Sequence, residues 1–295
     1  MRKIVLATLV LVLVLAVASS AMEMRKRIAI SELEDKAGSS YNVGTGLSDV
    51  LATALVNCGK FQVFEREQLA AIMSEQALGT TGLVTAQTAP EIGKLLGVQA
   101  IVYGAVTEFS TQKDEVGLGT FMGGIGFSRV TARVGLNIRI IDTVTGEIIF
   151  SHEATGEESE TGGVLMVPGM VIGKGSEWDN TLEGKAARKA IDEIVNAIII
   201  KMKDVPWTGA VVKADDEKVY INAGMDSGIE TGMEFRVYAK GEELIDPVTG
   251  ISLGAEETLI GTVQVMEVKE KYAICRAVAG GGFSAEDIVR ENPFE

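Results

Sequence analysis

The strongest pattern in the chain is an alternation over 129–140. Val130, Ala132, Val134, Leu136, Ile138 and Ile140 point one way, and Arg129, Thr131, Arg133, Gly135, Asn137 and Arg139 the other. A period of two is that of a long strand with one apolar and one polar face. Asp142-Thr143-Val144-Thr145-Gly146 reads as a turn, after which 147–154 returns as the partner strand. Upstream, 27–33 reads as an opening strand. A helix follows in which Leu47, Val50, Leu51, Ala54, Leu55 and Cys58 recur at intervals of three and four, and Gly59 stops it. Phe61, Val63 and Phe64 mark a short strand. Leu69, Ile72 and Met73 share one face of a second helix. Thr88 and Glu91 form a capping box around Pro90 for a third, which runs to about Gly97. Ala100, Ile101, Val102 and Tyr103 form a buried strand. A long helix from Asn180, capped by Glu183, carries an apolar stripe through Ala190, Ile194 and Ile198 that would cover the sheet.

Beyond Pro206 the helical period disappears. Short apolar runs over 208–292 are divided by turn residues, and five or six strands of this kind suggest a small closed barrel. The expected class is therefore α+β: a mixed sheet with flanking helices and two long β-hairpin segments, then a small all-β, barrel-like domain.

The amino terminus sets the compartment. Arg2 and Lys3 precede an apolar run over 4–17, and Ala18, Ser19, Ser20 and Ala21 supply a small-residue exit. That order is the pattern of a secretory signal peptide, with a retained membrane anchor as the alternative. The expected division is 1–21 signal peptide, 22–205 α/β domain and 206–295 β domain, with the mature protein in the periplasm or at the outer membrane.

Composition and charge narrow the function. At 46% hydrophobic and 23% charged residues the chain is an ordinary globular protein. Its net charge of −14, with no basic cluster, argues against nucleic-acid binding. Catalytic, cofactor-binding and metal-ligating candidates are all absent from this reading. His152 has no second histidine with which to share a metal. Gly173-Lys174 fails the phosphate-loop pattern, and Gly123-Gly124-Ile125-Gly126 lacks the dinucleotide spacing. Ser110-Thr111-Gln112-Lys113 has none of the companion motifs of penicillin-binding enzymes. Cys58 and Cys275 allow one disulfide, but their apolar surroundings favour two buried thiols.

Four stretches carry a family resemblance. They are Gly46-Leu47-Ser48-Asp49-Val50-Leu51-Ala52-Thr53-Ala54-Leu55, Phe64-Glu65-Arg66-Glu67-Gln68-Leu69, Tyr103-Gly104-Ala105-Val106-Thr107-Glu108-Phe109, and Leu136-Asn137-Ile138-Arg139-Ile140-Ile141-Asp142 with Thr145-Gly146-Glu147. In this order they resemble the curli secretion-channel (CsgG) family over about 25–203. The carboxy-terminal part resembles small periplasmic β modules. The resemblance implies a homo-oligomeric ring that passes a secreted polypeptide through the outer membrane. Each subunit would give two hairpins, here 109–135 and 151–177, to a shared barrel, and an inward loop would narrow the pore. This chain has no cysteine after the apolar run at which the family is typically lipidated.

By position, Tyr41 and Asn42 become the candidate pore constriction. The candidate membrane residues are Val116, Leu118, Phe121, Phe127, Val130, Ala132, Val134 and Leu136 in the first hairpin, and Val164, Leu165, Met166 and Val167 in the second. Within a shared barrel Val130, Ala132, Val134 and Leu136 would face lipid. In a lone subunit the two segments are expected to lie against the α/β core or lack regular structure, with assembly converting them to strands. The alternative function is a periplasmic scaffold that uses the same domain to engage an envelope or cell-wall-synthesis partner without a pore. Its apolar tip would then meet protein rather than lipid.

Overall fold

The computed structural model describes residues 24–38, 42–64, 97–116, 127–161, 178–215, 217–248 and 252–292. The predicted second and third helices, including the Thr88 capping box, lie outside these residues, as does the amino-terminal apolar run. Among the described residues no helix is long and apolar enough to cross a membrane.

Strands β1 (Lys26–Asp35), β2 (Phe61–Phe64), β3 (Ala100–Val116), β4 (Phe127–Asp142) and β5 (Ile148–Thr161) form one mixed sheet in the order β2-β1-β3-β4-β5. The β1 pairings with β2 and β3 are parallel, whereas β3, β4 and β5 form an antiparallel meander. Helices α1 (Val43–Asn57) and α2 (Leu182–Met202) cover one face of this sheet. The core there brings Ile28, Ile30 and Leu33 of β1 together with Leu47, Leu51 and Leu55 of α1, the inward row of β4, and Ala190, Ile194 and Ile198 of α2. On the opposite face Ala29, Val98, Ile101 and Ile141 form a smaller buried cluster.

Local chemistry explains the ends of these elements. α2 starts at Leu182 and not at Asn180, and its cap is Thr181 and not Glu183: Thr181 Oγ1 accepts from the Gly184 amide at 2.9 Å, and Glu183 adds negative charge in the first turn. Between β4 and β5, Asp142 Oδ1 accepts from the amides of Val144 and Thr145, and Gly146 takes φ 72° to close the turn.

The second unit is a closed barrel of β6 (Thr208–Ala214), β7 (Val219–Ile221), β8 (Glu234–Ile245), β9 (Ser252–Val268), β10 (Ala273–Gly280) and β11 (Ile288–Glu291). Its order, β10-β7-β6-β11-β8-β9, leaves no strand edge without a neighbour. The interior is filled by Trp207 and Phe235, whose ring centroids lie 5.4 Å apart, with Val211, Ile221, Val237, Val263, Cys275 and Val289 around them.

Both cysteines are free thiols. Cys58 is half-buried at the end of α1, where its Sγ–H donates to the Leu55 carbonyl. Cys275 is buried in the barrel, and desolvation pushes its thiol from 9.0 up to about 12. A thiol-specific reagent at pH 8 is expected to modify Cys58 first and Cys275 only on unfolding. Equal labelling rates in a Cys58→Ala and a Cys275→Ala variant would show that the barrel opens around Cys275. The sign of the pH effect follows from the raised value. Above about pH 9 the unfolded chain sheds the thiol proton and the folded chain keeps it, so this group's contribution to stability falls as the pH rises towards 12.

Candidate functional site

Two places on the molecule invite a functional reading: the β3-β4-β5 meander that carries the predicted hairpins, and the junction between sheet and barrel.

The meander is already a sheet within one subunit. β3 and β4 pair from Ala100↔Asp142 out to Val116↔Phe127, and β4 and β5 pair from Ile141↔Ile148 out to Arg129↔Thr161. The pairings of β3 with β4 and of β4 with β5 are therefore made within one subunit, while β5 and the part of β3 beyond Val106 keep an outer edge. The expectation that a lone subunit lacks these strands is corrected, because the long register pairs β4 on both sides without any partner.

The apolar row has an occupant as well. Val130 is 2% exposed, and Ala132, Val134 and Leu136 are fully buried in the core shared with α2. In this structure Ala132, Val134 and Leu136 face α2. The helix sits close because the contact is built from small residues: Gly156 of β5 lies against Ala186 and Ala190. The other side of the meander is polar. Arg133 pairs with Glu157 at 2.8 Å, and Arg129 donates to Ser159 at 3.0 Å. On the helix side, Thr111 Oγ1 donates to Glu183 at 2.7 Å, and Lys189 of α2 meets Glu158 at 2.6 Å. A spanning barrel presents alternate apolar residues outward in a continuous band. The described limbs offer no such band.

The remaining candidates divide by position. Asn42 is exposed at the start of α1, where its side chain makes no capping bond. Val116 and Phe127 pair through their backbones at the far end of β3 and β4. Tyr41, Leu118, Phe121, Val164, Leu165, Met166 and Val167 lie outside the described residues. His152 Nε2 lies 3.1 Å from Glu193 Oε1, and its ring stacks on Phe150. Among the described residues no group of three or more His, Cys, Asp or Glu side chains is placed to hold a metal.

The junction was not anticipated from sequence. The start of β1 and the segment before β3 reach across to the barrel through polar contacts. Gln99 is buried, its Oε1 accepts from the Arg27 amide at 2.7 Å, and its Nε2 donates to the Thr208 carbonyl at 2.8 Å. One guanidinium nitrogen of Arg27 donates to the Thr208 carbonyl and to Asn222 Oδ1, both at 3.3 Å. Asn222 Oδ1 also accepts from the Ala210 amide at 2.8 Å, and Lys26 Nζ donates to the Met202 carbonyl at 2.6 Å. Beside these contacts a cleft of about 450 Å³ opens between the Asp142–Thr145 turn, the barrel wall and the β8-β9 arm. Arginine within a strand is unremarkable in sequence, and nothing local connects Arg27 with Asn222, which lies 195 positions away.

Comparison with known proteins adds the family. A Neisseria meningitidis serogroup B protein named as a lipoprotein (NMB1126/NMB1164) is 30% identical over 180 residues, covering 60% of this chain and 70% of the relative. Among solved structures, the hypothetical protein CT253 of Chlamydia trachomatis is 15% identical with a TM-score of 0.40, over 60% of this chain and 96% of that one. Lipoprotein GNA1162 of Neisseria meningitidis is 14% identical with a TM-score of 0.35, over 61% and 99% respectively. Residues 12–231 match the family model described as curli production assembly/transport component CsgG, a span that extends past the sheet and into the barrel, and the chain belongs to that family.

Proposed function

We propose that this chain is a non-catalytic module of the cell envelope that engages a partner through its folded surface without forming a pore. The observation that carries this reading is the position of Val130, Ala132, Val134 and Leu136. The apolar row that a membrane barrel would turn towards lipid is the row on which α2 packs. Exchanging the helix for lipid would mean lifting α2 from the sheet and exposing Ala190, Ile194 and Ile198, so the exchange lacks a hydrophobic driving force. Family membership and the lipoprotein relative support export to the envelope and association there. Assembly with copies of itself fits the same family. In the rival reading those copies share an outer-membrane barrel that exports polypeptide.

Dye release from liposomes separates the two. The native protein, in every oligomeric state that can be isolated, is expected to leave vesicles sealed. A variant with short Gly-Ser linkers in place of 117–126 and 162–177 keeps the buried row intact, and it is expected to retain function in cells. Dye release by an oligomer of native protein, absent from the linker variant, would establish the channel and remove the scaffold.

A further inference from the structure

The cleft between sheet and barrel has the size and chemistry of a ligand site, and it is separate from the surface discussed above. Its volume of about 450 Å³ falls within the range of roughly 300–1,000 Å³ typical of small-molecule sites, which favour domain junctions. Val98, Val144, Pro206 and Ile288 give it apolar walls.

Arg27 is the polar group of interest. One of its terminal nitrogens is pinned by two neutral acceptors, Thr208 O and Asn222 Oδ1, which fixes the plane of the guanidinium. Among the described residues no carboxylate comes within ion-pair distance of it. Asp226 stabilises the charge only from further away, and burial lowers the guanidinium's pKa. Gly97 guards the other terminal nitrogen: a Cβ there would come to 3.2 Å from Nη1, and the backbone holds φ 62°, which a side chain would strain. A half-buried cation whose hydrogen bonds go to neutral oxygens is incompletely compensated, and its remaining donors suit a planar anion. The fixed plane also lowers the ordering cost of binding one.

The rest of the cleft restricts which anion fits. Arg290 is committed to Glu257 at 2.6 Å, and Asp142 is occupied by the turn amides. Glu286 adds negative charge to the wall, and Lys240 contributes one positive charge. Glu286 has a φ of 74°, the left-handed region that a side chain adopts only when its surroundings impose it. A compact, multiply charged ion such as phosphate would meet this carboxylate. A ligand with one carboxylate, an apolar body and a positive end would satisfy both ends of the cleft.

We propose that this cleft binds the free carboxyl terminus of a short apolar peptide. The carboxylate would sit on Arg27, the side chains along Val98, Val144 and Ile288, and the peptide's ammonium towards Glu286. The test is a titration of the full chain with an alanine-valine-leucine tripeptide, its carboxyl amide, sodium acetate and sodium phosphate. It is followed by NMR of the Arg27 Nε–H and Asn222 side-chain amide signals. The free-acid tripeptide should shift both saturably. The amide should bind about ten- to a hundredfold more weakly, the effect of losing a charge-assisted hydrogen bond. Acetate and phosphate should each bind more weakly than the free acid.

Arg27→Gln should abolish the preference for acid over amide. Because Arg27 also ties the sheet to the barrel, Val144→Trp provides a second arm: Val144 lines the cleft, is more than half exposed and makes none of the hydrogen bonds of the tie. This variant should melt as the native protein does and bind neither peptide. Equal binding of acid and amide, phosphate binding as tightly as the peptide, native binding by Val144→Trp, or no shift at about 10 mM peptide, a Kd weaker than any useful affinity, would each overturn the proposal.

Discussion

Val134→Arg is expected to unfold the α/β domain in buffer, with no lipid present. Val134 is fully buried between β4 and α2, and among the described residues no acidic side chain is buried beside it in that core. An arginine at this depth must bury its charge or open the helix–sheet contact, at an effective cost of several kcal/mol. For a domain of this size each kcal/mol lowers the melting temperature by about 2–4 °C. A fall of about 10 °C or complete loss of the domain's transition is therefore the expected result of a thermal melt followed by circular dichroism. Arg133→Ala supplies the comparison. Arg133 is exposed and its ion pair with Glu157 is a surface pair, so its removal should shift stability by less than about 1 kcal/mol. The experiment bears directly on function. If Val134 served only to face lipid in an assembled barrel, Val134→Arg would melt like the native subunit and fail only on insertion.

Gly156→Val should produce a loss of similar size by a different route. A Cβ at Gly156 would collide with the Ala186 carbonyl oxygen and stand 2.8 Å from its carbon and 2.9 Å from the Ala190 amide nitrogen. These are backbone atoms of α2 and cannot rotate aside, so the helix must shift as a body. Overpacking of a core costs about 1–3 kcal/mol, and collision with backbone belongs at or above the upper end. A melting temperature lowered by about 6–12 °C is expected, with Gly156→Ala moving the same way. Thr155→Val, at the exposed neighbouring position of the strand, should leave the melt almost unchanged. Native-like melting of Gly156→Val would mean that α2 does not seat on β5 as described.

Both substitutions bear on what could be read from the residues alone. The alternation over 129–140 gave the correct strand and the correct division into two faces. It could not say what would cover the apolar face, since a lipid chain and the underside of α2 are equally apolar. Gly156 carried a signal, because glycine inside a strand often marks close backbone approach. That approach could be recognised only once Ala186 and Ala190 were placed above it. The pattern places the start of α2 two residues early, since Glu183 in the sequence resembles a capping residue and the hydroxyl of Thr181 fills that role in the fold. The barrel was legible as short apolar runs between turn residues. Its closure depends on pairings such as β6 with β11 and β8 with β11, between segments remote in sequence.

The junction shows the limit most clearly. Arg27, Gln99, Thr208 and Asn222 are ordinary polar residues in their local contexts, and no period or motif connects them. Their meeting depends on how the sheet and barrel dock, which long-range packing sets and local propensity does not. Family, element types and the two-faced character of β4 follow from short-range patterns, because period and turn chemistry act over a few residues. Which apolar face is covered, and which arginine is left with donors towards a cleft, was decided by the tertiary structure. Burial and compensation of charge are properties of whatever lies opposite, and in this chain that is residues up to 195 positions away.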